Sequence, residues 1–334
     1  MKVAVVILNW NGKQLLKQFL PAMIKHTGND AEIYVADNAS SDDSVDFINE
    51  NYPQVKIIQN KENGGFAKGY NDALQHIKAD IYALVNSDIE VTENWIPPII
   101  EEFKASDNTA VIQPKILDYK NKMAFEYAGA GGGFIDFFGY PYCRGRIFQT
   151  LENDTKQYND TTDIFWASGA CFFIRTQVYQ HQEGFDEQYF AHQEEIDLCW
   201  RIQNENYDIK YVGTSTVYHV GGATLNEASP RKTFLNFRNS LMSIVKNVPK
   251  RYFFFVILIR LILDGVAGVK FLFELKLKHT WAIIKAHFSF YYHIPVMLKK
   301  RRNILHKRTR YSHCKSIVWQ HYVLGRKKFE QINL

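Results

Sequence analysis

Four short apolar runs, each closed or followed by small polar residues, constrain this chain more than any other feature. Val3–Leu8 is apolar and β-branched and ends abruptly in Asn9-Trp10-Asn11-Gly12. Glu32–Ala36 runs into Asp37-Asn38-Ala39-Ser40, Val55–Gln59 is a third run, and Ile81–Val85 ends in Asn86-Ser87-Asp88. Such runs are buried strands, and the polar clusters behind them are turns. Helical spacing fills the stretches between them. Leu15–Lys25 sets Leu15, Leu16, Phe19, Leu20 and Met23 on one side, Ser44–Asn51 is a second helix, and a third is expected from about Tyr70 to Ile77. Strands alternating with helices predict an α/β domain around a mostly parallel sheet with right-handed crossovers. Ligands gather at the carboxyl ends of strands in such sheets, which is where Asn9, Asp37 and Asp88 fall.

The pattern loosens from about Val111. Gly129–Gly133 and Gly139–Gly145 read as flexible loops, Phe165–Ile174 as a strand and Glu194–Gln203 as a helix; Val217–Val220 reads as a short strand leading to Gly221-Gly222. Charge then divides the chain. Residues 250–334 hold 18 Lys and Arg against 3 Asp and Glu, which leaves 22 against 32 for residues 1–249 out of totals of 40 and 35. An acidic body with a basic tail predicts two units, 1–249 and 250–334, the second facing a polyanion.

Within the tail, Tyr252–Leu263 is apolar except for Arg260, and Asp264 is expected to stop it. At 12 residues it is shorter than the roughly 20 that span a bilayer. Trp281–Leu298 repeats the theme ahead of Lys299-Lys300-Arg301-Arg302. We expect helices lying on an anionic membrane surface, with a lid or a homodimer surface as the alternatives. Nucleic acid is disfavoured as a partner because the basic stretch holds no reading module. Four widely spaced cysteines without a CxxC pair argue against a disulfide framework or a thiolate zinc site. The opening MKVAVVILNWNG turns polar too soon for a signal peptide. The expected location is therefore the cytoplasm, peripheral at the inner face of the cell membrane.

Four segments carry chemistry. Asp88, behind a strand, is an oxygen ligand for Mg2+ or Mn2+, although Asn86-Ser87-Asp88 is also ordinary turn chemistry. Glu194, Glu195 and Asp197 crowd their charge at a helix N-terminus; that raises one pKa and suits a general base, or it merely decorates the helix dipole. His219 is able to complete a divalent site begun by Asp88, or to be a structural histidine. Asn63-Gly64-Gly65-Phe66-Ala67-Lys68-Gly69 allows close backbone approach to a ligand, yet it matches neither a P-loop nor GxGxxG, so neither ATP hydrolysis nor NAD binding is indicated.

In this order the segments resemble the family 2 glycosyltransferases, over Val3 to about Asn247. VVILNWNG is similar to the family's first strand and nucleotide-contacting turn (Leu8, Asn9), and VADNASSDDS to its second, where Asp37 would accept hydrogen bonds from the donor's base. NGGFAKGYN resembles the loop of the rhamnosyltransferase-like branch (Asn63, Gly64, Gly65). Asn86-Ser87-Asp88 looks like the DxD metal motif, with Asn86 in place of the first Asp. EEIDLCWR resembles the ED motif, which aligns Glu195 with the base and leaves Glu194 and Asp197 as alternatives. His219 matches a late metal-site histidine, and Phe237-Arg238-Asn239 a further recurrent element.

The resemblance implies a GT-A fold and inverting transfer from a nucleotide-diphosphate sugar (dTDP-rhamnose or UDP-hexose type) to a hydroxyl of a lipid-linked or polysaccharide acceptor. It also implies a sugar pocket lined by Trp166, Gly169 and Ala170, although Trp166 is equally suited to core packing. Arg144 and Arg146 are candidates to close over the pyrophosphate. A nucleotidyltransferase is the alternative enzyme. A non-catalytic sugar- or membrane-binding protein on a decayed transferase fold is the alternative outside catalysis.

Overall fold

The computed structural model describes residues 1–221, 229–304 and 308–332. Gly222 of the sequence motif lies outside them. Strands Val3–Asn9 (β1), Glu32–Asp37 (β2), Lys56–Gln59 (β3) and Ile81–Asn86 (β4) pair in parallel, linked by helices Lys13–Thr27 (α1), Ser44–Asn51 (α2) and Gly65–Leu74 (α3). Next come Ile89–Val91 (β5), Pro97–Ala105 (α4) and Thr109–Asp118 (β6). Gly133–Ile135 (β7), Pro141–Cys143 (β8), Arg146–Ile147 (β9) and Thr150–Leu151 (β10) build a small antiparallel sheet. The chain returns through Thr161–Asp163 (β11), Cys171–Arg175 (β12), Thr176–His181 (α5), Glu194–Asn204 (α6), Asp208–His219 (β13) and Pro230–Asn247 (α7).

The main sheet runs β11-β13-β6-β12-β4-β1-β2-β3, with β5 attached to β13. Strand β12 runs antiparallel to both β4 and β6. Its start therefore lies at the same sheet edge as the ends of β1, β4 and β13. Because side chains alternate along a strand, β1 serves two cores. Val3, Val5 and Ile7 face α1, α2 and α4, whereas Ala4 and Val6 face α3, α5 and α6. Burial on both faces explains why β1, β2 and β4 read as continuous apolar runs, whereas β3 at the edge is only half-buried.

Several elements differ from the sequence expectations. Phe165–Ala170 is buried but irregular, and the strand begins only at Cys171. The Gly-rich loops contain β7 and β8, whose three-residue strands are too short to show a two-residue period. Helix α3 starts at Gly65, and β13 spans 12 residues rather than the last few.

The tail forms helices Phe253–Phe273 (α8), Leu277–Arg301 (α9) and Ile317–Tyr322 (α10). Asp264 does not end α8, because it turns inward with Arg260. Arg260 donates to the Phe138 carbonyl at 3.1 Å and to the Ser240 hydroxyl at 3.0 Å, and Asp264 accepts from the Tyr140 hydroxyl at 3.2 Å. Arg301 of α9 donates to the carbonyls of Val245 and Val248 at the end of α7. Residues Lys250–Phe273 are long and apolar enough to cross a membrane, with mean hydropathy 2.1. The buried Arg260–Asp264 pair nevertheless commits one side of α8 to the body. Phe254, Leu258, Ile262, Val266 and Phe273 stay exposed on the helix.

Removing one partner of a buried ion pair strands the other charge, which typically costs about 3–5 kcal/mol. Asp264→Ala should therefore lose roughly 3 kcal/mol in urea unfolding of the full chain. A loss below about 1 kcal/mol, the range of exposed pairs, would show that the tail is not anchored through this pair.

Candidate active site

The ends of β1, β2 and β3 are stitched together by asparagines. Buried Asn9 donates to Asp37 Oδ1 at 3.0 Å and to the Ser40 hydroxyl at 3.2 Å, and Asp37 Oδ2 accepts from the Ser40 amide at 3.0 Å. Asn38 donates to Asn63 Oδ1 and to the Gly65 carbonyl, both at 3.0 Å, and Asn60 donates to Asn38 Oδ1 at 3.1 Å. This lattice fixes the backbone around Leu8, Asn9 and Asp37 and joins it to the Asn63-Gly64-Gly65 loop. Sequence reasoning missed Asn38 and Asn60, whose bonds to one another and to Asn63 and Gly65 span 22 to 27 residues. Gly65 sits at φ +77°, and a Cβ there would stand 2.7 Å from the Phe190 carbonyl oxygen. The close approach this glycine permits is thus to the chain's own 190 segment.

Asn86-Ser87-Asp88 is the turn between β4 and β5. The Asn86 amide donates to the Ala170 carbonyl at 2.9 Å, which ties the turn to the segment entering β12. Strand β5 then pairs with β13 in a register that opposes Ile89 and His219. As a result Asp88 Oδ1 stands 3.2 Å from His219 Nε2, both side chains being buried. On the far side of the ring, Glu126 Oε1 lies 3.3 Å from Nδ1. Glu126 comes from an irregular stretch that carries no local signal, and sequence reasoning missed it. Burial alone would lower the His219 pKa, but Glu126 and Asp88 carry it up to about 10.

The two imidazole nitrogens point away from each other, so Asp88, His219 and Glu126 cannot converge on one point. Accordingly, among the described residues no three such side chains cluster around a single cation position. The donor set still fits a divalent cation. Asp88 and His219 Nε2 share one side, and Glu126 orients the ring from behind, as carboxylates commonly do for ligating histidines. Mg2+ and Mn2+ ordinarily take their remaining ligands from water and phosphate.

The three acidic residues of α6 have separate environments. Asp197 is fully buried and accepts from Arg201 Nε at 2.9 Å, Lys246 Nζ at 2.8 Å, Asn247 Nδ2 at 2.8 Å and the Tyr189 hydroxyl at 3.2 Å. Burial would raise its pKa, but Lys246 and Arg201 hold it below the usual range. It is a structural hub with no face left for a substrate, which removes it from the candidates for the base. Glu194 is buried with one carboxylate oxygen unpartnered; burial and then the neighbouring Glu195 push its pKa far up. Glu195 is less buried, lies against Gly169, and has its pKa raised to about 7 by desolvation.

Helix α7 holds the approach to this helix. The single Asn239 amide nitrogen donates to the carbonyls of Tyr189, Ala191 and His192 at 3.1, 3.0 and 2.7 Å. Arg238 donates to those of Gln188 and Tyr189. Phe190, His192 and Gln193 all have positive φ, a conformation that side-chain-bearing residues avoid without such restraint. The Phe237-Arg238-Asn239 motif is thus a clamp on residues 188–192.

Other expectations are corrected. Trp166 is buried; its indole donates to the Phe134 carbonyl at 2.9 Å and packs on Gly133, so it belongs to the core. Arg144 and Arg146 are not loop arginines free to close. Arg144 pairs with Asp160 and lies over Tyr158, while Arg146 lies over Tyr127 beside Cys143. Gly169 and Ala170 lie between Glu195 and the Asn86 turn.

Residues 4–182 match the family model described as Glycosyl transferase family 2. The chain is 22% identical over 233 residues to the N-acetylglucosaminyl-diphospho-decaprenol L-rhamnosyltransferase of Mycobacterium tuberculosis, covering 64% of this chain and 75% of that one. TarS 1-349 of S. aureus in complex with UDP-GlcNAc superposes with TM-score 0.56 at 14% identity, over 91% of this chain and 92% of that one. The mannosyltransferase PcManGT of Pyrobaculum calidifontis in complex with GDP-Man and Mn2+ gives TM-score 0.55 at 12% identity, over 87% of each. A sheet with its polar turns gathered at one edge, a family match over more than half the chain and these structural likenesses agree: the chain belongs to the family 2 glycosyltransferases and has their GT-A fold.

Proposed function

We propose that this glycosyltransferase moves a sugar, with inversion, from a nucleotide-diphosphate sugar to a hydroxyl of a lipid-linked acceptor. The observation that carries the reading is the position of Asp88, His219 and Glu195 around one sheet edge, linked through Ala170 and Gly169. The donor's base and ribose would lie along Leu8, Asn9 and Asp37, and its sugar beside Gly169 and Ala170. Asp88 and His219 would hold Mn2+ or Mg2+, the cation taking the place of the Nε2 proton, and the metal would supply positive charge to the departing diphosphate. The Mn2+ in PcManGT and the diphospho-decaprenol acceptor named for the mycobacterial relative support the metal and the acceptor class.

Glu195 is the base. A carboxylate titrating near neutrality is ionised often enough to accept a hydroxyl proton and basic enough to keep it. Glu194, whose pKa burial and then Glu195 push up, stands beside it in the sequence. As the acceptor oxygen attacks the anomeric carbon, Glu195 takes the hydroxyl proton and the bond to the diphosphate oxygen breaks on the opposite face. The donor is of dTDP-rhamnose or UDP-hexose type, a reading supported by the Asn63–Gly65 loop and the rhamnosyltransferase relative. The exposed apolar sides of α8 and α9, with Lys and Arg beside them, would rest on an anionic membrane surface.

Asp88→Ala and Glu195→Gln should each lower transfer, followed as Mn2+-dependent release of nucleoside diphosphate, by roughly 10²- to 10⁴-fold with the fold intact. Full activity of Glu195→Gln would remove it as the base. Stability offers a second check. Between pH 4.5, where an unfolded glutamate titrates, and about 7, folded Glu195 keeps a proton that the unfolded chain has released. Stability therefore falls as pH rises through that window. Glu195→Gln should be more stable than wild type at pH 8 by on the order of 1–3 kcal/mol, with the difference vanishing near pH 4.5. Equal stabilities at pH 8 would show that the carboxyl is not desolvated.

A further inference from the structure

A cavity of about 380 Å³ lies between α7 and α9, lined by Pro230, Arg231, Phe234, Lys278, Ala282 and Lys285. Half of its lining is cationic, and among the described residues Arg231, Lys278 and Lys285 have no carboxylate partner within ion-pair distance. The two carboxylates in residues 229–304 are committed elsewhere: Asp264 to Arg260 and His287, Glu274 to Lys270 and Lys276. Three cations sharing a concave site repel one another, and an anionic ligand relieves that cost.

The cavity's surroundings say what kind of anion fits. Lys278, Ala282 and Lys285 recur at the spacing of one helix face, and Ala282 is buried toward α7. One residue earlier, Leu277, Trp281, Ile284 and Phe288 recur at the same spacing and are 60, 57, 40 and 70% exposed. An apolar stripe thus runs along α9 beside the cationic one, about 100° round the helix. On the other side, the Arg231 guanidinium lies 5.3 Å over the Phe190 ring. Phe190 is in the segment clamped by Asn239, shortly before Glu194 and Glu195. The cavity is therefore flanked by the segment that leads into α6 on one side and by an exposed apolar stripe on the other.

We propose that this cavity binds the phosphate groups of a prenyl-diphosphate-linked acceptor. Arg231, Lys278 and Lys285 take the diphosphate oxygens, and the Leu277–Phe288 stripe takes the first isoprene units. The inference rests on the transferase reading above, since an acceptor anchored there would present its sugar toward Glu195. Diphosphate and hydrocarbon on one molecule match a basic pocket and an apolar stripe on one helix.

The test is calorimetric titration of the full chain, without divalent metal or nucleotide, with farnesyl diphosphate, farnesol and inorganic pyrophosphate. We expect farnesyl diphosphate to bind at least tenfold more tightly than either fragment, and Lys278→Gln/Lys285→Gln to weaken it by on the order of tenfold or more. Both lysines are exposed, so the fold should survive, and Arg231→Gln provides a separate variant. Unchanged affinity in these variants, or farnesol or pyrophosphate binding as tightly, would overturn the assignment. Phosphatidylglycerol vesicles distinguish a general anionic surface: an equal loss of vesicle and farnesyl diphosphate binding would also overturn it. Donor turnover in the same proteins tests the transferase reading separately. Absent turnover with intact diphosphate binding would sink that reading and leave the cavity assignment standing.

Discussion

Asp88 and Glu126 bury two carboxylates on either side of one imidazole, and burial of like charges persists only with positive charge between them. Either a proton or a bound cation on His219 meets that requirement, and the ring is in place because β5 pairs with β13 in the register that opposes Ile89 and His219. The constraint propagates. β5 is only three residues long and follows directly on the β4 turn, so fixing it fixes Asn86-Ser87-Asp88. The same turn is bonded to Ala170, and Ala170 leads back through Gly169 to Glu195. A one-residue slip of β5 would turn Asp88 away from the ring and dissolve the arrangement.

A second charge cluster gathers around α6. Lys246 of α7 bridges Asp186 and Asp197, and Lys300 of α9 reaches Asp186 as well. These cations hold Asp186 and Asp197 ionised and seat α6 firmly against α7 and α9. Glu194 and Glu195, less than one turn away, receive none of that charge, so desolvation governs them and their pKa values rise. One short acidic segment thereby supplies a rigid anchor and a group that titrates near neutrality. The tail shares in the anchor, which makes α9 a neighbour of the candidate site rather than an appendage to it.

Much of the fold was legible because its central strands are buried on both faces and end in polar turns, a signal that survives in a single sequence. The edges were not. β5 and β7–β10 are two or three residues long, too short for any periodicity, and Phe165–Ala170 is apolar because it is buried, not because it is extended. Asp88, His219 and the acidic triplet were singled out by residue type and position. The resemblance aligned Glu195 with the base, but Asp197 could not be set apart from it, since its partners Lys246 and Asn247 lie some 50 residues downstream. Glu126 left no trace for the same reason, being defined only by the ring it faces. For Trp166 the core was one of two readings kept open, and Arg144 and Arg146 looked free to close because an arginine near glycines looks exposed until its packing partners are known.

The most direct measurement is Mn2+ binding to the full chain in the presence of nucleoside diphosphate, compared with Asp88→Ala and Glu126→Gln. We expect wild type to bind Mn2+, Asp88→Ala to lose that binding, and Glu126→Gln to weaken it by about 10- to 100-fold through loss of the ring's orientation. Mn2+ affinity unchanged by Asp88→Ala would contradict the assignment of this sheet edge as the donor's diphosphate site.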